Sequence, residues 1–148
     1  MHPTVTEQLD GLRRILAEAV APEVTAPYPT EILGSVIGAL NTLQSNWHAI
    51  PAFLRWDIET TSAVLDAAKP LLDAALVAEI SAEQAVTDLT ELAALDHRQV
   101  RMRGLLVKAM PAIRAERGTA YDKMMTLFRE RADRFPFAMA FRPPAKKA

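Results

Sequence analysis

Residues 89–113 read LTELAALDHRQVRMRGLLVKAMPAI. Leu89, Leu92, Leu95, Met102, Leu106, Ala109 and Ile113 recur at steps of three, four and seven, so they share one broad face of an α-helix. Two residues argue against continuity. Gly104 is a poor helix former, and Pro111 lacks an N–H and crowds the preceding turn. The sustained apolar face favours one long helix kinked before Pro111 over two helices broken near Gly104. Upstream, Ser81 and Gln84 have capping-box spacing, which places the start of this fourth helix near Ala82. Downstream, Gly118 suits a C-cap, and Thr119 caps a last helix running to about Asp133.

The rest of the chain is also helical by pattern. Thr4 and Glu7 form a capping box, and Val5, Leu9, Leu12, Leu16 and Val20 make an apolar stripe that Pro22 stops. Three prolines between Pro22 and Pro29 predict a stiff, extended connector. A second helix, from about Pro29 or Thr30 to Trp47, carries Leu33, Val36, Leu40, Leu43 and Trp47 at bundle-seam spacing. Gly34 and Gly38 lie off that seam, one turn apart, and would permit a close helix approach. A third helix begins near Pro51 and ends or kinks at Pro70, followed by a shorter piece from Leu71 to Ile80. The expected fold is all-α: an antiparallel bundle of four to six helices over residues 1–134, with a non-helical C-terminal tail at 135–148.

Composition narrows the function classes. A chain of 148 residues is one domain by size, with 50% hydrophobic and 24% charged residues, as in ordinary globular proteins. There is no cysteine, which excludes disulfides, thiolate metal sites and a cysteine nucleophile. No apolar run reaches membrane-span length. The start, Met1-His2-Pro3-Thr4, lacks a basic stretch followed by an apolar one, so no signal peptide and a cytoplasmic location are expected. The excess of Arg over Lys and the abundant Ala suggest a GC-rich bacterial coding bias.

The charges are divided by position. Through His97 there are 4 Lys and Arg against 14 Asp and Glu; from Arg98 onward there are 13 against 4. Arg98, Arg101 and Lys108 fall on one side of the fourth helix. They suit pairing with acidic helices of the same chain, or with an acidic protein partner. Nucleic acid is disfavoured, because the acidic half repels a polyanion and no binding motif is present.

Catalytic patterns are missing. There is no Glu-x-x-His, no His-x-x-x-His, no Gly-x-Ser-x-Gly and no phosphate-cradling glycine loop, so no catalytic residue, metal or cofactor is expected. The pairs Asp57/Glu59 and Glu79/Glu83 read as solvated helix faces. Both tryptophans lie near the corner between the second and third helices. Trp47, His48, Arg55 and Trp56 are therefore candidate lining for a small-molecule pocket, with acyl or CoA-like ligands as the matching class. The same rings also suit a plug at the end of the core. In the tail, Phe135, Phe137 and Phe141 are too apolar for a free segment and suit packing on the bundle or on a second subunit. With only Lys146 and Lys147 beside them, membrane docking is disfavoured.

The run from Leu12-Arg13-Arg14-Ile15-Leu16 through Pro22 to Val36-Ile37-Gly38-Ala39-Leu40-Asn41-Thr42-Leu43 resembles a family of small bacterial helical proteins. Members are encoded beside aminoglycoside-phosphotransferase-like kinases and acyl-CoA dehydrogenases. Where the family ends its second helix with an Arg-Glu pair, this chain has Ser45-Asn46-Trp47. The resemblance implies an accessory role near such enzymes and no catalytic residues. The functional expectation is a non-catalytic, self-associating or protein-binding protein that uses Arg98, Arg101, Lys108 and the phenylalanine tail.

Overall fold

The computed structural model describes residues 3–86 and 90–136. Among them are six α-helices and no strand: α1 (Val5–Arg14), α2 (Pro27–Asn46), α3 (Ile50–Ala68), α4 (Ala74–Gln84), α5 (Leu92–Glu116) and α6 (Thr119–Arg134). The chain is an all-α helical bundle. Among the described residues, contacts group into two compact units, residues 3–49 with Pro136, and Ile50–Phe135. The dividing point is thus Ala49, and Phe135 groups with the helices of the second unit. Leu89, Phe137 and Phe141 lie outside the described residues.

The first unit is a hairpin of α1 and α2. Thr4 Oγ1 accepts from the Glu7 N–H at 3.2 Å, and Glu7 Oε2 accepts from the Thr4 N–H at 2.7 Å. This reciprocal cap fixes where α1 begins. The helix then widens to a π-helical turn over Ile15–Val20, where the Ala21 N–H bonds Leu16 O, and closes in a 3-10 turn at Ala21–Glu23. Pro22 supplies no N–H to continue the regular ladder. The connector is shorter than its prolines suggest, because Pro27 begins α2. Proline is tolerated in a first turn, where the N–H has no helical partner. Trp47 Nε1 donates to Thr6 Oγ1 at 3.2 Å, which ties the end of α2 to the start of α1 and makes the pair antiparallel. None of the described residues of this unit is buried. A Cβ at Gly34 or Gly38 would meet nothing within 4 Å, so neither glycine mediates the expected close approach.

The second unit holds the core. Helix α3 packs on α5 and α6, and α4 packs on α5. Leu65, Ile80, Leu95, Met102, Leu106, Ile113, Met124 and Leu127 are fully buried, so every one of the four helices contributes. Each such side chain contributes about 1.5–3 kcal/mol relative to exposure. Asp57 with Arg131, and Phe53 with Phe135, set α6 antiparallel to α3. Glu79 with Lys108, and Glu83 with Arg101, set α4 antiparallel to α5.

Three boundaries depart from the sequence reading. Ser81 and Gln84 do not open a helix; they lie in α4. Its true cap is Asp73, whose carboxylate accepts from the Leu76 N–H at 2.8 Å. The Gln84 side chain instead reaches Ser62 Oγ and Lys69 Nζ, at 2.7 and 2.8 Å. Second, α5 begins at Leu92 and not near Ala82, although it does run as one long helix of 25 residues through Gly104 and Pro111, as the sustained apolar face implied. Pro111 is exposed, so water can serve the carbonyl of Val107 that its missing N–H leaves. Third, the residue that turns the chain after α5 is Arg117, at φ 51° and ψ 33°, while Gly118 is the N-cap of α6 at φ −97°.

Candidate functional site

The basic residues of α5 divide by azimuth. Arg98 turns inward and is only 6% exposed. Its guanidinium donates to Val86 O and to Gln84 O, where α4 ends, and its Nε has no partner among the described residues. A cation on terminal carbonyls complements the helix dipole. Arg98 is therefore spent on holding α4 and is not presented to a partner. Arg101 and Lys108 do face outward. Arg101 Nε bonds Glu83 Oε2 at 2.8 Å, and Lys108 Nζ bonds Glu79 Oε2 at 2.5 Å. The hydrogen bond to Glu83 holds the Arg101 guanidinium even further above neutrality than usual.

Between these two ion pairs lies a groove of about 520 Å³, lined by Glu79, Ala82, Glu83, Arg101, Gly104, Leu105 and Lys108. Its rim is charged but neutral in sum, and its floor is apolar. A Cβ at Gly104 would meet nothing within 4 Å, so the groove is open over α5. Glu83 Oε1 is buried with no hydrogen-bond partner among the described residues.

The outer face of α5 was not singled out in the sequence. Val100 is 61% and Val107 63% exposed, and both lie opposite the core-facing Leu95, Met102, Leu106 and Ile113. With Gly104 and Pro111, which are also exposed, they form an apolar stripe where a solvated helix carries polar groups. The signal was legible: two valines seven residues apart, off the core face, with a glycine between them.

Asp57 is the other departure. It was read as part of a solvated face, yet it is fully buried in α3. Its carboxylate accepts from Arg131 Nε at 2.6 Å, Gln99 Nε2 at 2.8 Å and Arg103 Nε at 3.2 Å. Arg131 also donates to Thr61 Oγ1 at 3.1 Å. These donors come from α5 and α6, so one carboxylate joins three helices. Both of its oxygens accept from within the chain, which makes it a structural centre of this unit. Glu59, its supposed companion, is exposed.

The tryptophan cluster is distributed over both units. Trp47 and His48 belong to the first and meet edge-on, with ring centroids 6.5 Å apart. Arg55 and Trp56 belong to the second; Arg55 is exposed, and Trp56 carries the Arg134 guanidinium 4.7 Å above its ring and Phe53 at 5.9 Å. None of these four residues lines the groove on α5. Phe135 stacks edge-on against Phe53 at 5.6 Å.

Among the described residues, no group of three or more His, Asp or Glu is placed to hold a metal ion. No described helix is long and apolar enough to cross a membrane. Comparison with protein-family models, with curated proteins and with solved structures finds no match for this chain.

Proposed function

We propose that this chain is a non-catalytic accessory protein of the bacterial cytoplasm that works by binding protein through the outer face of α5 and the adjoining α4–α5 groove. The observation that carries this reading is the pair Val100 and Val107, exposed at 61% and 63% on an otherwise well-packed helix. Exposed aliphatic residues grouped in one stripe, bordered by charged groups, are what a docking surface presents before it is covered. Helix-in-groove recognition needs an apolar floor, polar edges and a gap for an anchor side chain; Leu105, the Glu79/Lys108 and Glu83/Arg101 pairs, and the space over Gly104 meet those needs. The resemblance of residues 12–43 to helical proteins encoded beside kinases and acyl-CoA dehydrogenases supports an accessory role.

The test is a photo-crosslinking residue placed at Val107 or, as a control, at the exposed Lys123 of α6. Discrete protein adducts should form from position 107 and not from 123. Equal labelling at both positions, or none at either, removes this reading.

A further inference from the structure

We infer that the occupant of the α5 face is a second copy of this chain, paired antiparallel about a two-fold axis near Gly104; this rests on the docking reading above. The apolar stripe matches its own reverse. Val100 and Val107 stand on either side of Gly104, so a two-fold there sets Val100 of each copy against Val107 of the other. Gly104, with open space above it, falls at the crossing, where the backbones approach most closely.

The charges at the edge carry the same symmetry. Asp96 and Arg114 are 18 residues apart, which is five turns of helix at about 3.6 residues per turn. They therefore share one edge of the stripe. Both are exposed, and neither has an ion pair among the described residues. In an antiparallel pair, each edge of a helix meets the same edge of its mate. A two-fold near Gly104 thus brings Asp96 of each copy to Arg114 of the other, twice. A parallel pair would set this edge against the opposite edge of the mate, so Asp96 and Arg114 would not meet. On the opposite edge, Arg101 and Lys108 would approach their counterparts, but each is already neutralised by Glu83 or Glu79 of its own α4. Self-pairing therefore satisfies the free charges and adds no bare repulsion.

The chain has no cysteine, so an introduced thiol reports on register without background. Under mild oxidation, a mixture of the Val100→Cys and Val107→Cys proteins should yield the mixed 100–107 disulfide ahead of either symmetric product. Gly104→Cys alone should link to itself. Symmetric 100–100 and 107–107 products, or linkage no faster than for Lys123→Cys, overturn the antiparallel pairing. Sedimentation provides the second readout. Asp96→Arg should weaken the dimer by about tenfold or more, since two attractive contacts become repulsive. Adding Arg114→Asp should restore it, whereas a double variant as weak as the single one overturns the Asp96–Arg114 contact. A chain that is monomeric at every concentration, while position 107 still captures a different protein, ends the two-fold model but leaves the docking face. Absence of adducts at position 107 ends both.

Discussion

Arg131 Nε of α6 lies 2.6 Å from Oδ1 of Asp57, a carboxylate on α3 with no solvent exposure. Gln99 and Arg103 of α5 complete its partners. Removing one member of a buried pair costs more than the pair contributes, because the remaining groups stay buried and unpaired. Asp57→Ala should therefore destabilise the protein by about 3 kcal/mol or more in urea denaturation. Arg103→Ala, whose side chain is 39% exposed, should cost only about 1 kcal/mol or less. Similar losses for both variants would mean that the cluster is not centred on the carboxylate.

Arg98 and Arg101 look alike in sequence and should behave differently. Arg98→Ala leaves the carbonyls at the end of α4 without their donor and should cost about 1–3 kcal/mol. Arg101→Ala should cost less, about 1 kcal/mol or below, since its own side chain is half exposed even though Glu83 is mostly covered. Thermal melts of the two variants side by side decide the assignment. A silent Arg98→Ala would return that residue to the surface.

Arg117 holds the left-handed conformation that favours glycine. A non-glycine residue there costs about 1–2 kcal/mol, partly offset by the greater chain entropy of glycine when unfolded. Arg117→Gly should raise stability by about 0.5–1 kcal/mol. Gly118→Ala should lower stability by about 0.5–1 kcal/mol because alanine is a poor N-cap, and not through strain, since its φ is negative and an added Cβ would meet only Glu116 Cγ at 3.8 Å. Chemical denaturation of both variants is sufficient, and the reverse ranking would relocate the turn.

Three carboxylates with lowered values shape the response to acid: Glu7, Asp66 and Asp10, the last held below its ordinary range by the hydrogen bond and charge of Arg13. Glu7 is held below its ordinary range by hydrogen bonds from the backbone and side chain of Thr4. Asp66 is held below its own by the hydrogen bond from Lys69 and, less strongly, by the one from Gln84. A folded value below the unfolded one means stability that is fully present above the unfolded carboxylate range, about 4, and lost as pH falls through the folded values. Melting temperature should therefore be flat near neutrality with respect to these groups and fall below about pH 4. The combined Glu7→Gln and Asp66→Asn protein should show a shallower acid decline. A decline as steep as in the native chain would exclude both groups from it.

The helical class, the start of α1, the end of α2 and both ends of α3 were legible because they depend on local chemistry: a Thr4–Glu7 cap, proline stops, and apolar steps of three and four. The α4–α5 junction was not. Ser81 and Gln84 have the spacing of a cap, and only the folded chain shows Gln84 reaching Ser62 and Lys69 while Asp73 performs the capping. Asp57 was misread for a related reason. A carboxylate in an apolar helix becomes a buried centre only when arginines from two distant helices arrive, and their arrival is not written in the neighbourhood of residue 57. Within the basic run, Arg98 and Arg101 differ by less than one turn, yet that rotation sends one to the interior and the other to solvent.

The hairpin of α1 and α2 contains no buried side chain, whereas the unit beginning at Ile50 has a packed core. Amide protons in the hairpin should exchange with solvent at a far lower opening cost than those of α5. A protease would find its first productive openings among the first 46 residues. The lifetime of the whole chain in a cell would then be set at one end, while the face proposed for a partner is carried by a helix of the packed core.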